Sequence, residues 1–182
     1  METTKTLGIY IHIPFCMAKC AYCDFYSLAD REKLMPDFQH ALLRHIKEYA
    51  PQLDGYLIDT VYFGGGTPSF YGSDRLIRIF NALKKYGNVL IDSEVTVEVN
   101  PGTITKADMQ RLVRAGFNRI SIGVQTSDDG LLKSLGRRHT FADAEETVKN
   151  AREAGFKNVS IDLIYGLPSQ TRDAWAETLN RA

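Results

Sequence analysis

Three cysteines occur in the stretch Cys16-Met17-Ala18-Lys19-Cys20-Ala21-Tyr22-Cys23, and the chain of 182 residues has no others. The C-x-x-x-C-x-x-C spacing puts three thiol groups in one short loop, which indicates a metal site. A 4Fe-4S cluster is held by cysteine thiolates. Three protein ligands would leave one of its irons open to a small molecule. The stretch therefore predicts a 4Fe-4S cluster with an open coordination position.

Two other uses of the cysteines remain open. A zinc site would need a fourth ligand, for which His12 is the candidate. A disulfide would leave one thiol over, and the sequence has no sign of secretion. Because His12 stands between Ile11 and Ile13, a core histidine satisfied by hydrogen bonds is the more common interpretation of this residue.

Composition limits the class of protein. With 44% hydrophobic residues, the chain can bury a sizeable core. Basic and acidic residues number 22 each, and a formal net charge of zero argues against a broad basic face for nucleic acid. The apolar stretches are strand-sized, and no hydrophobic signal region follows the start. We predict a cytoplasmic protein with reduced thiols, no transmembrane segment and no nucleic-acid partner.

Hydrophobic periodicity predicts strands that alternate with helices. The predicted strands are 8–13, 57–63, 94–99, 119–124 and 158–165, and the predicted helices are 35–49, 74–86, 106–114, 128–135, 142–153 and one after residue 169. The motif Ala115-Gly116-Phe117-Asn118-Arg119-Ile120 recurs as Ala154-Gly155-Phe156-Lys157-Asn158-Val159. Such repetition is typical of successive β/α units with a parallel sheet. We predict an α/β fold, an incomplete barrel of about five β/α units.

Polar and glycine residues stand at the predicted strand ends, where barrels of this kind place their active sites. Gly64-Gly65-Gly66-Thr67 follows the second strand, although a plain loop would have the same composition. Glu98 closes the third strand, unless that strand is an exposed polar edge. Gln125 closes the fourth, where a turn-stabilising amide is the simpler interpretation. Asp162 lies among apolar residues of the fifth, where burial would require a partner such as a core arginine.

In five blocks the sequence resembles the radical S-adenosylmethionine (SAM) proteins, and within them the oxygen-independent coproporphyrinogen III oxidase-like group. The blocks are Tyr10-Ile11-His12-Ile13-Pro14-Phe15-Cys16 with the cysteine loop, Gly64-Gly65-Gly66-Thr67-Pro68, Glu98-Val99-Asn100-Pro101, Gly123-Val124-Gln125-Thr126 and Asp162-Leu163-Ile164-Tyr165-Gly166-Leu167-Pro168. The resemblance implies that SAM chelates the open iron through its amino and carboxylate groups. One electron from the cluster then cleaves SAM to methionine and a 5′-deoxyadenosyl radical, chemistry that the cofactors supply.

The resemblance also implies roles for single residues. The cluster ligands would be Cys16, Cys20 and Cys23. SAM, or a second SAM molecule, would be contacted by Tyr10, Tyr22, Gly65, Gly66, Thr67, Glu98, Gln125, Arg137 and Asp162. Aromatic packing around a strand and a loop is the simpler interpretation of the two tyrosines. A solvated turn is the simpler interpretation of Gly136-Arg137-Arg138-His139.

Two functions follow from the resemblance, and the choice decides whether the protein is an enzyme. One is a heme chaperone, which would also bind heme. The alternative is a coproporphyrinogen III oxidase that decarboxylates coproporphyrinogen III to protoporphyrinogen IX. The oxidases tend to carry a further cysteine two positions after the third ligand and a longer N-terminal segment. Here that position is Phe25, and fifteen residues precede Cys16, which favours the chaperone. A radical SAM enzyme with another substrate is a third possibility, and an electron donor is implied in each case.

The same resemblance implies at least one more strand and helix, and then a C-terminal domain. Residues 1–182 are therefore predicted to be the N-terminal portion of a radical SAM core, with the cluster loop at 14–27. The fifth strand would then have an exposed edge, which favours pairing or aggregation.

Overall fold

Five parallel strands form the main sheet of the computed structural model, which describes residues 5–182. The strands, in chain order, are β1 (Lys5–Ile13), β2 (Phe15–Cys16), β3 (Leu28–Ala29), β4 (Tyr56–Gly65), β5 (Val89–Val99), β6 (Arg119–Gln125) and β7 (Asn158–Leu163). The main sheet has the order β1-β4-β5-β6-β7, and β2 pairs with β3 in a separate two-stranded sheet. All pairings are parallel. The predicted α/β fold with successive parallel strands is confirmed.

Helices connect the strands of the main sheet. They are α1 (Met35–Tyr49), α2 (Pro68–Tyr71), α3 (Ser73–Tyr86), α4 (Lys106–Ala115), α5 (Asp129–Ser134), α6 (Phe141–Ala154) and α7 (Arg172–Arg181), with short 3-10 turns at Glu32–Leu34 and Ala50–Leu53. Within residues 5–182, no helix is both long and apolar enough to cross a membrane.

The core lies between one face of the sheet and the helices. Alternate residues of β4 and β6, such as Phe63 and Ile120, are fully buried. They belong to one hydrophobic cluster with Ile79 of α3 and Leu112 of α4. Because side chains alternate across a strand, the residues between them occupy the opposite face. That second face carries mostly polar residues, among them Tyr62 of β4, Glu98 of β5 and Ser121 of β6.

The sequence repeat corresponds to two equivalent helix ends. Helices α4 and α6 end at Gly116 and Gly155, whose φ angles are 113° and 107°. Glycine is favoured at this left-handed position because it has no Cβ. Each helix also begins with a capping box, formed by Thr105 in α4 and by Thr140 in α6 with the aspartate three residues later. The repeated motif therefore marks two successive β/α units, as predicted.

Several predicted boundaries are wrong. Strand β5 begins at Val89, five residues before the predicted start, because Val89 pairs with Ile58 ahead of an irregularity in the register. Strand β7 ends at Leu163 rather than Tyr165, since the chain then turns at Gly166, whose φ is 73°. The pairing of β2 with β3 and the helix α2 were not predicted, because two and four residues are too short for a periodic signal.

Candidate cluster and cofactor site

A cavity of about 390 Å³ opens where the C-terminal ends of β4, β5, β6 and β7 meet the cysteine loop. Its volume falls in the range of small-molecule sites. Eleven residues singled out from the sequence line it, namely Cys16, Cys20, Tyr22, Cys23, Gly65, Gly66, Thr67, Glu98, Gln125, Arg137 and Asp162. The structure therefore brings together residues that are up to 146 positions apart in the chain, from Cys16 to Asp162.

The cysteine loop is held by backbone hydrogen bonds at its base and at its middle. Cys16 belongs to β2 and is buried, and the backbone N–H of Leu28 donates to the carbonyl of Pro14 at 2.7 Å. Farther along, the N–H of Ala21 donates to the carbonyl of Leu135 at 3.3 Å, after helix α5. The three cysteines are free thiols in this structure, and no disulfide joins them.

The glycine turn after β4 brings the backbone close to the cysteine loop. The N–H of Gly66 donates to the carbonyl of Ile13, and that of Thr67 donates to Phe15, both at 2.8 Å. A Cβ on Gly66 would come within 2.8 Å of backbone atoms of Pro14 and Phe15. Glycine is therefore required here by close approach of two backbone segments, and contact of this turn with SAM stays a prediction.

Glu98 reaches the cavity from the middle of the sheet, since β5 lies between β4 and β6. The exposed-edge interpretation of this strand is therefore wrong. One oxygen of Glu98 accepts from the Tyr62 hydroxyl at 2.8 Å, and the other accepts from the N–H of Gly65 at 3.1 Å. Burial raises the pKa of Glu98, an effect that these two hydrogen bonds partly offset. Two accepted bonds leave lone pairs on the carboxylate free for a ligand.

Gln125 and Asp162 lie on neighbouring strands at the far side of the cavity. Gln125 is buried, with a φ of 72° that few non-glycine residues adopt. Its amide lies over Gly123, where a Cβ would come within 2.7 Å of Nε2. Asp162 is exposed, and both of its oxygens accept from the Ser121 hydroxyl at 3.1 and 3.2 Å. The alternative interpretation, a buried Asp162 paired with a core arginine, is therefore wrong, because β7 is the edge strand of the sheet.

Arg137 joins three parts of the site. One guanidinium nitrogen donates to Asn100 Oδ1 at 2.7 Å, and the other donates to the Tyr22 hydroxyl. Within the described residues, the buried Nε of Arg137 has no hydrogen-bond partner. Burial raises the pKa of the Cys20 thiol and the neighbouring thiols add to this, while Arg137 acts in the opposite direction. The solvated-turn interpretation is therefore wrong for Arg137.

Tyr10 and His12 lie beside the cavity on β1 and do not line it. Tyr10 is 57% exposed and stacks on Tyr62 with ring centroids 5.8 Å apart. The imidazole of His12 covers Gly65, and its Nε2 donates to the carbonyl of Tyr26 at 2.9 Å. His12 is thus satisfied by a hydrogen bond, as in the core-histidine interpretation, but its side chain is half-buried and lies outside the core.

The donor set suits an iron-sulfur cluster that is bound with a small molecule. In the part of the chain that the structure describes, there is no group of three His, Cys, Asp or Glu side chains close enough together to coordinate a metal ion. All three thiols nevertheless face one cavity, and thiolates are the ligands that such clusters use. The buried Arg137 Nε and the buried Ser27 hydroxyl are both without partners within residues 5–182 and belong to lining residues. They are polar groups that a bound ligand would satisfy.

Sequence reasoning missed several polar residues of the site, among them Ser27, Tyr62, Asn100 and Ser121. Tyr62 and Ser121 have a signal in strand parity, because each shares a strand face with a residue already singled out. Asn100 follows β5 and stands in a motif quoted above, but its partners are 33 and 37 positions away. No local pattern predicts those partners.

Comparison with known proteins agrees with this site. The sequence model of the radical SAM superfamily matches residues 10–182. The heme chaperone HemW of Haemophilus influenzae is 34% identical over all of this chain and 49% of its own length, and HemW of Escherichia coli is 36% identical over all of this chain and 48% of its own. The coproporphyrinogen III oxidase HemN of Escherichia coli, described as a radical SAM enzyme, superposes with a TM-score of 0.91 and 31% identity, covering 98% of this chain and 41% of that one.

The chain therefore spans about half the length of the curated relatives that it matches. The match to the superfamily, in contrast, covers nearly every described residue, including the cysteine loop and the ends of all five strands. That family implies a 4Fe-4S cluster and SAM. This chain belongs to the radical SAM superfamily.

Proposed function

We propose that the cavity holds a 4Fe-4S cluster on Cys16, Cys20 and Cys23 and binds SAM beside it. The observation that carries the proposal is the meeting of three free thiols, a glycine turn and the half-buried carboxylate of Glu98 in one cavity. The cluster would supply one electron to bound SAM. The protein's own part is to hold, orient and enclose the two cofactors.

The chain offers distinct groups to the two ends of SAM. The carboxylate of Glu98 and the backbone of Gly65 and Gly66 offer acceptors and close approach on one side of the cavity. On the other side Arg137 offers a cation with an unused N–H, which suits the carboxylate of a ligand. Further polar contacts to SAM, or to a second SAM, come from Thr67, Tyr22, Gln125 and Asp162. Tyr10 would act through its stacking on Tyr62, since it lies beside the cavity.

Metal analysis after anaerobic reconstitution tests the cluster. We expect about four irons per chain, with matching sulfide, because three thiolates in one loop suit the cubic cluster. One tightly held zinc without iron uptake would contradict the proposal and favour a zinc site. Iron content should be measured together with SAM binding, since both belong to the same proposal.

We further propose a heme chaperone function. This function would belong to a longer protein that contains this chain. Support comes from the relatives named above and from Phe25, which stands where the oxidases tend to carry a cysteine. Phe25 is 69% exposed and lines the cavity. The structural likeness to coproporphyrinogen III oxidase supports the alternative function, which is the decarboxylation of coproporphyrinogen III. Cytoplasmic location, an electron donor and the lack of a nucleic-acid partner stay predictions.

Product analysis on a version extended to the length of the relatives distinguishes the two functions. With cluster, SAM and a low-potential reductant present, we expect stable binding of one heme and no conversion of coproporphyrinogen III. Phe25→Cys should leave this result unchanged, because three thiolates already complete the proposed ligand set. Release of carbon dioxide with formation of vinyl groups, at turnover in the ordinary enzyme range of roughly 1 to 1000 per second, would favour the oxidase instead.

A further inference from the structure

A row of hydrogen bonds runs from Arg137 to the sulfur of Cys16. Arg137 donates to Asn100 Oδ1 at 2.7 Å, Asn100 Nδ2 donates to Thr67 Oγ1 at 3.0 Å, and Thr67 Oγ1 lies 3.5 Å from Cys16 Sγ. The four residues come from the cysteine loop, the glycine turn, the end of β5 and the segment after α5. They form one wall of the cavity described above.

Arg137 fixes the direction of every bond in this row. A guanidinium group has donors and no acceptor, so the oxygen of the Asn100 amide must face it. The NH₂ group of Asn100 must then face Thr67, whose oxygen accepts this bond. The hydroxyl hydrogen of Thr67 is left to point at the sulfur of Cys16. This is one consistent assignment, and it makes Thr67 a donor to the cysteine sulfur.

The end of the row at Thr67 and Cys16 is also shielded from water. Thr67 is 4% exposed and Cys16 is 9% exposed, so water competes poorly for the bond between them. Hydrogen bonds that run in one direction polarise one another, and they act more strongly in a medium of low dielectric constant. The positive charge at one end therefore strengthens the donor at the other.

We infer that Thr67 and Asn100 are positioning residues that raise the reduction potential of the cluster by directing a hydrogen bond onto the Cys16 sulfur. A donor to a ligating sulfur stabilises the added electron, and hydrogen bonds to the sulfurs are one determinant of cluster potential. The inference rests on the proposed cluster. It assigns Thr67 a role that is separate from any contact with SAM, and it gives Asn100, which touches no cysteine, an effect on the potential.

A redox titration of the reconstituted chain without SAM tests the inference. Thr67→Val removes the hydroxyl and keeps the branched shape, whereas Thr67→Ser keeps the donor. We expect Thr67→Val to lower the ratio of reduced to oxidised cluster at a fixed potential about tenfold, equivalent to about 59 mV for one electron. That is the lower end of the effect of one hydrogen bond to a charged group. Thr67→Ser should behave as the unaltered chain.

Thr147→Val is the matched control. The buried Thr147 hydroxyl donates to the backbone carbonyl of Asp143 at 2.7 Å, and Thr147 lies on α6 and does not line the cavity, so its loss should leave the potential unchanged. Asn100→Leu keeps the contact of Thr67 with Cys16 but removes its polarisation, and we expect a smaller shift in the same direction. This variant decides the question if Thr67→Val takes up no iron.

Equal potentials for Thr67→Val and Thr67→Ser, or an equal shift in Thr147→Val, would overturn the inference. If Thr67→Val takes up no iron, an unchanged potential in Asn100→Leu would overturn it as well. Iron content is measured first on the unaltered chain. No uptake there contradicts the proposed function itself, whereas full uptake with an invariant potential contradicts the hydrogen-bond row alone.

Discussion

Replacing Cys16, Cys20 or Cys23 by alanine is expected to abolish the iron-sulfur cluster in each case. The sequence contains no fourth cysteine that could replace a lost ligand. The histidine nearest to the loop in sequence, His12, already donates to the carbonyl of Tyr26 at 2.9 Å. Two thiolates alone would leave two irons of the cluster without protein ligands. Iron and sulfide should fall to background after anaerobic reconstitution of each variant.

Lys19→Ala provides the matched control for the cysteine variants. Lys19 is exposed and belongs to the same loop, so its variant should keep the full iron content. Cys16 is buried in β2, whereas Cys20 and Cys23 are half-buried. The apo protein should therefore lose some stability only in Cys16→Ala, because a buried side chain is truncated there. Near-complete iron uptake by any one of the three cysteine variants would contradict the ligand assignment.

The sequence predicts those parts of the site that depend on local spacing. The cysteine loop is eight residues long from Cys16 to Cys23, and its chemistry follows from residue type. Glu98 and Gln125 follow from strand alternation together with the rule that barrel sites lie at the carboxyl ends of strands. Helix ends at Gly116 and Gly155 follow from a repeated motif. In each case the signal lies within about one element of the chain.

The contacts between elements could not be predicted from the sequence. Beyond the last residue of a strand the alternation of side chains ends, so the partners of Asn100 depend on how three loops fold over the sheet. The apolar neighbours of Asp162 in sequence left open a buried carboxylate that is paired with an arginine. Its exposure follows from the position of β7 at the sheet edge, which is a property of the whole topology. The link from Arg137 to Cys16 likewise appears only when four segments are assembled.

Replacing Glu98 by alanine is expected to weaken SAM binding by about 1.5 to 3 kcal/mol, the usual range for a hydrogen bond to a charged group. This corresponds to a roughly 10- to 150-fold rise in Kd. The carboxylate is held in place by Tyr62 and Gly65, at 2.8 and 3.1 Å. It is therefore ordered before a ligand arrives, and little entropy is lost on binding. Calorimetry on reconstituted protein measures the effect, and the iron content should not change.

Glu94→Ala is the control for Glu98→Ala, because Glu94 lies four residues earlier on the same face of β5 and does not line the cavity. Its loss should leave SAM affinity unchanged. The pH dependence gives a second measure, since burial raises the pKa of Glu98. Binding that needs the carboxylate is complete above this raised pKa and weakens as the pH falls through it. Glu98→Gln should lack this part of the pH dependence. Equal SAM affinity in Glu98→Ala and the unaltered chain would make Glu98 a structural residue that only anchors Tyr62 and the glycine turn.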